Sequence, residues 1–333
     1  TGFDTASYRV PLGVVVGIVP FNFPAMIPWG WMVPLAIATG NTVVLKAASQ
    51  TPLTAMRIME LFYQEGGFPK GVVNLITCAN EESEMLITDP RVRAVTFVGT
   101  TKTGKRVYST AAAHGKRVQA QCEAKNHALI LEDCDLESAV NAVVNSTYGC
   151  AGMRCMALPV VCVQESIADH FVELLKEKAK NLVVGCAYDP ATEMGPVVSA
   201  EHKRSICNWI QKGIDEGAEL VLDGRDIKVP GFENGFFVGP TILDKVTPEM
   251  SVGQREIFGP VTLIKRVKDF EDGIAQMNAN PYANGSSIFT QNGYFARQFE
   301  LLSDGGMVGI NVGIPVPSAY FPFSGNKESF FGD

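Results

Sequence analysis

The sequence predicts an α/β protein of two units, each a mostly parallel sheet covered by helices. Three observations carry this. At 333 residues the chain is too long for one ordinary core and long enough for two. Over its first hundred residues, short apolar runs alternate with helix-period segments, the pattern of βαβ units around a parallel sheet. Hydrophobic residues make up 46% and charged residues 19%, with 32 glycines, which suits a well-packed globular chain and excludes a disordered or fibrous one.

Residues 14–19 are a continuous apolar run between Gly13 and Pro20, as expected of a strand covered on both faces. Pro20-Phe21-Asn22-Phe23-Pro24 follows, at the strand end where open α/β sheets put their ligands. The Asn22 carboxamide can donate to an oxyanion or cap the next helix, and both readings stay open. A second strand, 42–45, runs into Lys46, and Thr51-Pro52 opens a helix stopped at Gly66-Gly67. Strands are expected at 72–76 and 94–98, with a short helical segment around 85–87 between them. The latter strand ends in Gly99-Thr100, and Gly104 lies in the helix-period segment beyond, an arrangement that offers backbone N–H groups and a helix N-terminus to phosphates. Its spacing is not the dinucleotide fingerprint, so alone it is a weak signal.

Past Val118 the character changes. A strand at 128–131 leads to a helix capped by Asp133 or Asp135, with Leu136, Ala139, Val140, Val143 and Val144 inward. That helix delivers Gly149-Cys150-Ala151-Gly152-Met153-Arg154-Cys155-Met156-Ala157. Small neighbours let backbone amides approach the Cys155 sulfur, and the adjacent Arg154 is expected to favour its thiolate, the nucleophilic form. A strand at 160–163, a helix opened by a capping box at Ser166 to Asp169, and a helix burying Ile206, Trp209, Ile210 and Ile214 come next. After a loop-rich stretch through Gly231, Gly235 and Gly239, the segment Glu256-Ile257-Phe258-Gly259-Pro260 leads into a strand at 261–264. A helix around 274–277 and strands at 287–289 and 307–311 close the second unit.

The net charge of -7, without a basic run, argues against nucleic acid or an anionic membrane as partner. No apolar run has the length of a membrane span. The eight cysteines show no CxxC pair and no metal-ligand spacing, so no metal site is expected and reduced thiols in a cytoplasmic compartment are the simpler account.

In this order, Pro20 to Pro24, Lys46 before Thr51-Pro52, Phe97-Val98-Gly99 with Gly104, Gly152 to Cys155, Glu256 to Pro260 and Asn311 resemble the motif series of the aldehyde dehydrogenase superfamily. The resemblance covers essentially the whole chain. Arg154-Cys155-Met156-Ala157, Ala124-Lys125-Asn126-His127, Asn284-Gly285 and the stretch from Gly309 to Gly325 resemble its CoA-acylating branch. The resemblance implies a Rossmann-type NAD-binding domain over 1–122 and a catalytic domain over 123–333, with 1–13 an oligomerisation strand of a dimer or tetramer. Family proteins extend further at both ends, so a piece of a longer protein is expected.

The chemistry so implied starts with Cys155 attacking an aldehyde, its oxyanion held by Asn22 and the Cys155 N–H. Pro20, Phe21, Lys46, Ser49, Gly99, Thr100, Gly104, Glu256 and Phe258 would bind the cofactor, and Arg154 and Asn311 a malonate-type or methylmalonate-type semialdehyde. Two departures matter. Gln121 stands where hydrolytic members carry the glutamate that activates water, and an amide takes no proton at neutral pH, which fits acyl transfer to CoA. Glu123, two residues on, is a candidate substitute, in which case the enzyme is hydrolytic. Ser49 replaces the acid that often marks NAD specificity, which leaves NADP open. A third reading, an inactive scaffold, is disfavoured by the joint presence of Cys155, Asn22, Lys46 and Glu256.

Overall fold

The computed structural model describes residues 2–318 and 321–332. It separates into two compact units, one running to Cys122 and taking back the last strand, the other Glu123–Ser329.

In the first unit, β1 (Val14–Ile18), β2 (Thr42–Lys46), β3 (Val73–Ile76), β4 (Val92–Val98) and β5 (Arg117–Gln121) alternate with α1 (Val33–Ala38), α2 (Pro52–Gln64), α3 (Asn80–Thr88) and α4 (Thr101–Ala113). The order across the sheet is β5-β4-β1-β2-β3, all parallel, and the last strand, Phe330–Gly332, adds antiparallel to β5. Val16, Ile18, Val95 and Phe97 pack under α3 and α4 on one face. Val43, Leu45 and Val73 pack with α1 and α2 on the other. Sheet order reverses between β1 and β4, so the connections leaving these strands diverge and open a crevice at their C-terminal ends. Residues 2–13 pair with no strand and expose Phe3, Tyr8 and Val10. Only the end of this arm is tied down, where Asn41 Oδ1 accepts the Leu12 and Gly13 N–H groups at 2.7 and 3.0 Å.

The second unit runs β6 (His127–Ile130), α5 (Leu136–Tyr148), β7 (Val160–Gln164), α6 (Glu165–Lys180), α7 (Ala200–Asp215), β8 (Glu219–Leu222), β9 (Thr241–Asp244), β10 (Val261–Val267), α8 (Phe270–Asn278), β11 (Tyr282–Ala283), β12 (Gly285–Phe289), α9 (Gly293–Leu302), β13 (Met307–Ile310) and β14 (Asn326–Lys327). Its seven-stranded sheet has the order β13-β12-β6-β7-β10-β9-β8, parallel except for β8. Helices α5 and α6 bury Val140, Val143, Phe171 and Leu175 on one face. Phe270, Ile274, Met277 and Phe299 fill the other.

Several expectations change. Asp135, not Asp133, caps α5, accepting the Ser138 N–H at 3.1 Å. Asp133 instead bonds Thr290. No capping box opens α6: the helix begins at Glu165, and Ser166 donates to Glu132. The stretch read as loop contains β8 and the fully buried β9, whose four residues include Thr241 and Asp244 and so give no apolar run. The alternation of Arg117-Val118-Gln119-Ala120-Gln121 hid β5, which is polar at every second position although its far end is buried.

Gly104 lies inside α4 where an added Cβ would overlap the Cys122 sulfur. Gly104→Ala is therefore expected to cost about 1–3 kcal/mol in urea unfolding, as overpacking does, and to cost much less in a Cys122→Ala background.

Candidate active site

Of the residues named for cofactor binding, Pro20, Phe21, Lys46, Ser49, Gly99, Thr100 and Gly104 lie in the first unit, after β1, β2 and β4, and Glu256 and Phe258 lie in the second. Pro20, Phe21 and Asn22 follow β1, half-buried. Thr51 donates to the Phe21 carbonyl at 3.1 Å, which ties the loop after β2 to the loop after β1. Lys46 closes β2 at 8% exposure, and Ser49 lies exposed in the turn beyond. Asn22 does not cap: the next helical turn, Met26–Met32, starts after Ala25 with no side-chain cap. The N–H groups of Gly99 and Gly104, expected to face phosphates, are engaged in backbone hydrogen bonds. The Gly99 N–H goes to the Gln121 carbonyl at 3.1 Å, and a Cβ there would stand 2.6 Å from the Phe97 ring. The Gly104 N–H goes to the Thr100 carbonyl at 2.8 Å. Gly104 lets α4 lie close on the sheet, and α4 begins directly after Thr100. Gln121 is buried at the end of β5, in this unit.

The second unit builds its own small cleft, lined by Ala124, Asn126, Arg154, Cys155, Glu256 and Phe258 among others. These segments precede β6, β7 and β10, so the cleft lies at the N-terminal edge of the parallel strands. Two tight loops meet there. Cys150, Ala151 and Gly152 hold successive left-handed conformations (φ 53°, 53° and 72°), and Phe258 opposite has φ 59°. Non-glycine residues accept this strain mostly where the surroundings enforce it, commonly at functional sites. The enforcing contact is Gly152 against the Gly259 carbonyl, where a Cβ has no room.

Asn126, 2% exposed, fixes the backbone at Cys155. Its Nδ2 donates to the Cys155 carbonyl at 2.8 Å and the Ala157 carbonyl at 2.6 Å, and its Oδ1 accepts the Gly285 N–H at 2.9 Å. Asn284 adds a longer bond to the Cys155 carbonyl, 3.4 Å. Sequence reasoning gave these two asparagines no role. Their signal was present in the motifs containing them, but a buried amide that clamps backbone looks like any other polar residue.

The electrostatics correct the expectation of an activated thiol. Burial, with the Glu256 carboxylate next, pushes the Cys155 thiol up to about 12, although the Met156 and Cys155 N–H groups reach the sulfur and pull the other way. Arg154 does not offset this: its guanidinium folds back over Gly149. Burial also pushes the Glu256 carboxyl up to about 8, against a 3.1 Å hydrogen bond from the Ala124 N–H and the nearby Lys125, while Glu123 reinforces the rise. Lys125, 1% exposed, is pulled down to about 7 by burial, and among the described residues its Nζ has no hydrogen-bond partner.

Asn311 falls outside the cleft. It follows β13 at the opposite, C-terminal edge of the sheet. Both ends of its amide are spent on the Thr290 backbone, at 2.9 Å each, which is a strand-joining role and not a substrate contact.

A doubly wound α/β unit with a crevice at its sheet reversal, and a second unit presenting a cysteine in a cleft, define the class. The chain belongs to the aldehyde dehydrogenase family, whose model matches residues 1–333. It is 49% identical over 332 residues to malonate-semialdehyde dehydrogenase 1 of Oceanobacillus iheyensis, covering 100% of this chain and 68% of that protein. Among solved structures it is similar to a putative methylmalonate-semialdehyde dehydrogenase from Sinorhizobium meliloti complexed with NAD (TM-score 0.95, 43% identity, 98% of this chain and 66% of that one). It is likewise similar to methylmalonate-semialdehyde dehydrogenase from Oceanimonas doudoroffii (TM-score 0.95, 45% identity, 97% and 66%). The chain thus spans about two thirds of the length of the proteins it matches.

Alkylation of Cys155 by iodoacetamide without cofactor is expected to rise about tenfold per pH unit through neutrality with no plateau below about pH 9, because only the thiolate reacts and burial favours the thiol. Glu256→Gln removes a like charge that the carboxyl carries only above about pH 8, so the rate should increase in the alkaline range and change little at pH 7. A plateau near pH 7 in the parent would contradict the electrostatics.

Proposed function

We propose that this chain carries the site of an NAD-dependent, CoA-acylating dehydrogenase acting on a malonate-type semialdehyde, with methylmalonate semialdehyde as the branched form. The observation that carries the reading is Cys155 in the cleft of the second unit, with two backbone N–H groups at its sulfur. The names of the relatives support the substrate class.

The Cys155 thiolate adds to the aldehyde carbon, forming a C–S bond and an alkoxide. The Cys155 N–H stabilises that alkoxide, and the Asn22 carboxamide is its proposed second donor. When bound, the nicotinamide supplies a hydride acceptor. Lys46 and the helix start after Thr100 fit a dinucleotide's ribose and phosphates, and Glu256 and Phe258 are assigned to its nicotinamide end. Loss of hydride leaves an acyl thioester on Cys155. CoA thiolate then attacks that carbonyl, and the Cys155 sulfur departs as thiolate. For a malonyl-type group, the free carboxylate leaves as carbon dioxide and the carbon takes a proton. Arg154, which lines the cleft and whose guanidinium rests over Gly149, is the proposed partner of that carboxylate before it is lost.

Gln121 cannot serve as a base for water, so release to a thiol is preferred. Glu123 sustains the hydrolytic alternative, because its charge acts on Glu256 and so lies near the cleft. NAD is the cofactor of choice given the S. meliloti relative, while the exposed Ser49 presents no charge against a 2′-phosphate. The exposed apolar side chains of residues 2–13 are assigned to subunit contacts in a dimer or tetramer. All eight cysteines are free thiols, as suits the cytoplasm, and among the described residues no helix is long and apolar enough to cross a membrane.

On the full-length protein, sustained NADH formation from malonate or methylmalonate semialdehyde is expected only with CoA present, and Cys155→Ala should reduce it by at least about 10³-fold. Sustained NADH formation without CoA would favour hydrolysis through Glu123, and Glu123→Gln would then abolish it.

A further inference from the structure

We propose that His202, on α7, is a positioning residue for the cleft: its Nε2–H holds the Phe258 carbonyl and, through the Phe258–Gly259 peptide, sets where the Cys155 loop sits. His202 is not among the residues lining the cleft, so it acts through others. Its Nε2 lies 2.7 Å from the Phe258 oxygen, and because a carbonyl only accepts, Nε2 carries the proton. The ring also meets the Phe258 ring edge-on, centroids 6.3 Å apart. Phe258 is a bulky residue in a left-handed conformation, φ 59°, which it would leave without outside restraint.

The restraint comes from α7 at two successive turns. The helix start is fixed by Ser199, whose Oγ accepts the His202 N–H at 3.1 Å. One turn on, Ile206 packs so closely on Gly259 that an added Cβ would stand 2.6 Å from it. On the far side, the Gly259 carbonyl abuts Gly152, three residues before Cys155. The Phe258–Gly259–Pro260 backbone is therefore clamped between α7 and the Cys155 loop, and His202 supplies the polar half of the clamp. Without that donor the Phe258 carbonyl loses its bond to α7, the backbone there is less restrained, and both loops relax toward solvent.

The kinetic consequence rests on the function proposed above, but the thiol readout does not. On the full-length protein, His202→Leu removes the donor at similar volume, and His202→Gln restores one. The measured quantities are the rate of Cys155 alkylation by iodoacetamide without cofactor or aldehyde, the affinity for NAD, and the melting temperature. The leucine variant is expected to alkylate about tenfold faster and bind NAD about tenfold more weakly, with glutamine within about twofold of the parent, the size of effect a single lost hydrogen bond produces. If the leucine variant does not fold, His202→Ala carries the same comparison. The proposal is overturned if loss of the donor leaves alkylation within twofold of the parent, or if glutamine behaves like leucine. A parent protein that oxidises neither semialdehyde would remove the proposed function and still leave the thiol comparison decisive.

Discussion

The cleft depends on one close approach of backbone to backbone, the Gly152 Cα against the Gly259 carbonyl. No side chain at position 152 would fit, and the left-handed φ of 72° there disfavours one in any case. With that contact made, the loop carrying Cys155 and the loop carrying Glu256 and Phe258 share one wall, and the other features follow. The strained conformations at Cys150, Ala151 and Phe258 are held because neither loop can relax without displacing the other. Asn126 then fixes the nucleophile's carbonyl from beneath, so that the sulfur, and not the backbone, is the part of Cys155 left to move.

The same closeness has an electrostatic cost. Cys155, Glu256 and Lys125 are drawn into low-dielectric surroundings with few partners, and each is displaced toward its neutral form. A resting site built this way keeps the thiol protonated and therefore quiet. Arg154, the nearest cation in sequence, leans over Gly149. Burial is the larger cause of the raised thiol and the Glu256 carboxyl is mostly neutral at pH 7, so activation of the sulfur falls to what enters the cleft.

Much of the fold was legible because buried parallel strands announce themselves. The stretches 14–19, 42–45 and 160–163 are mostly apolar, and β1, β2 and β7 lie there. Strands carrying polar residues, β5 and β9, gave no such signal, since their burial is decided by neighbouring strands. Cys155, Glu256 and Phe258 stand out because small-residue loops and the Glu-Ile-Phe-Gly-Pro segment are unusual in sequence, and the structure gathers them in one cleft with Arg154. Asn311 was misread because a motif carries no information on which sheet edge it reaches. Asn126 and His202 were missed because they act on backbone carbonyls of distant segments.

The account turns on acyl transfer through the sulfur of Cys155. The direct measurement is mass spectrometry of the full-length protein quenched after mixing with methylmalonate semialdehyde and NAD in the absence of CoA. The account predicts a single acyl group on the peptide containing Cys155, formed together with one equivalent of NADH and discharged on adding CoA. NADH release over many turnovers with that peptide unmodified, or an acyl group on a different residue, would contradict it.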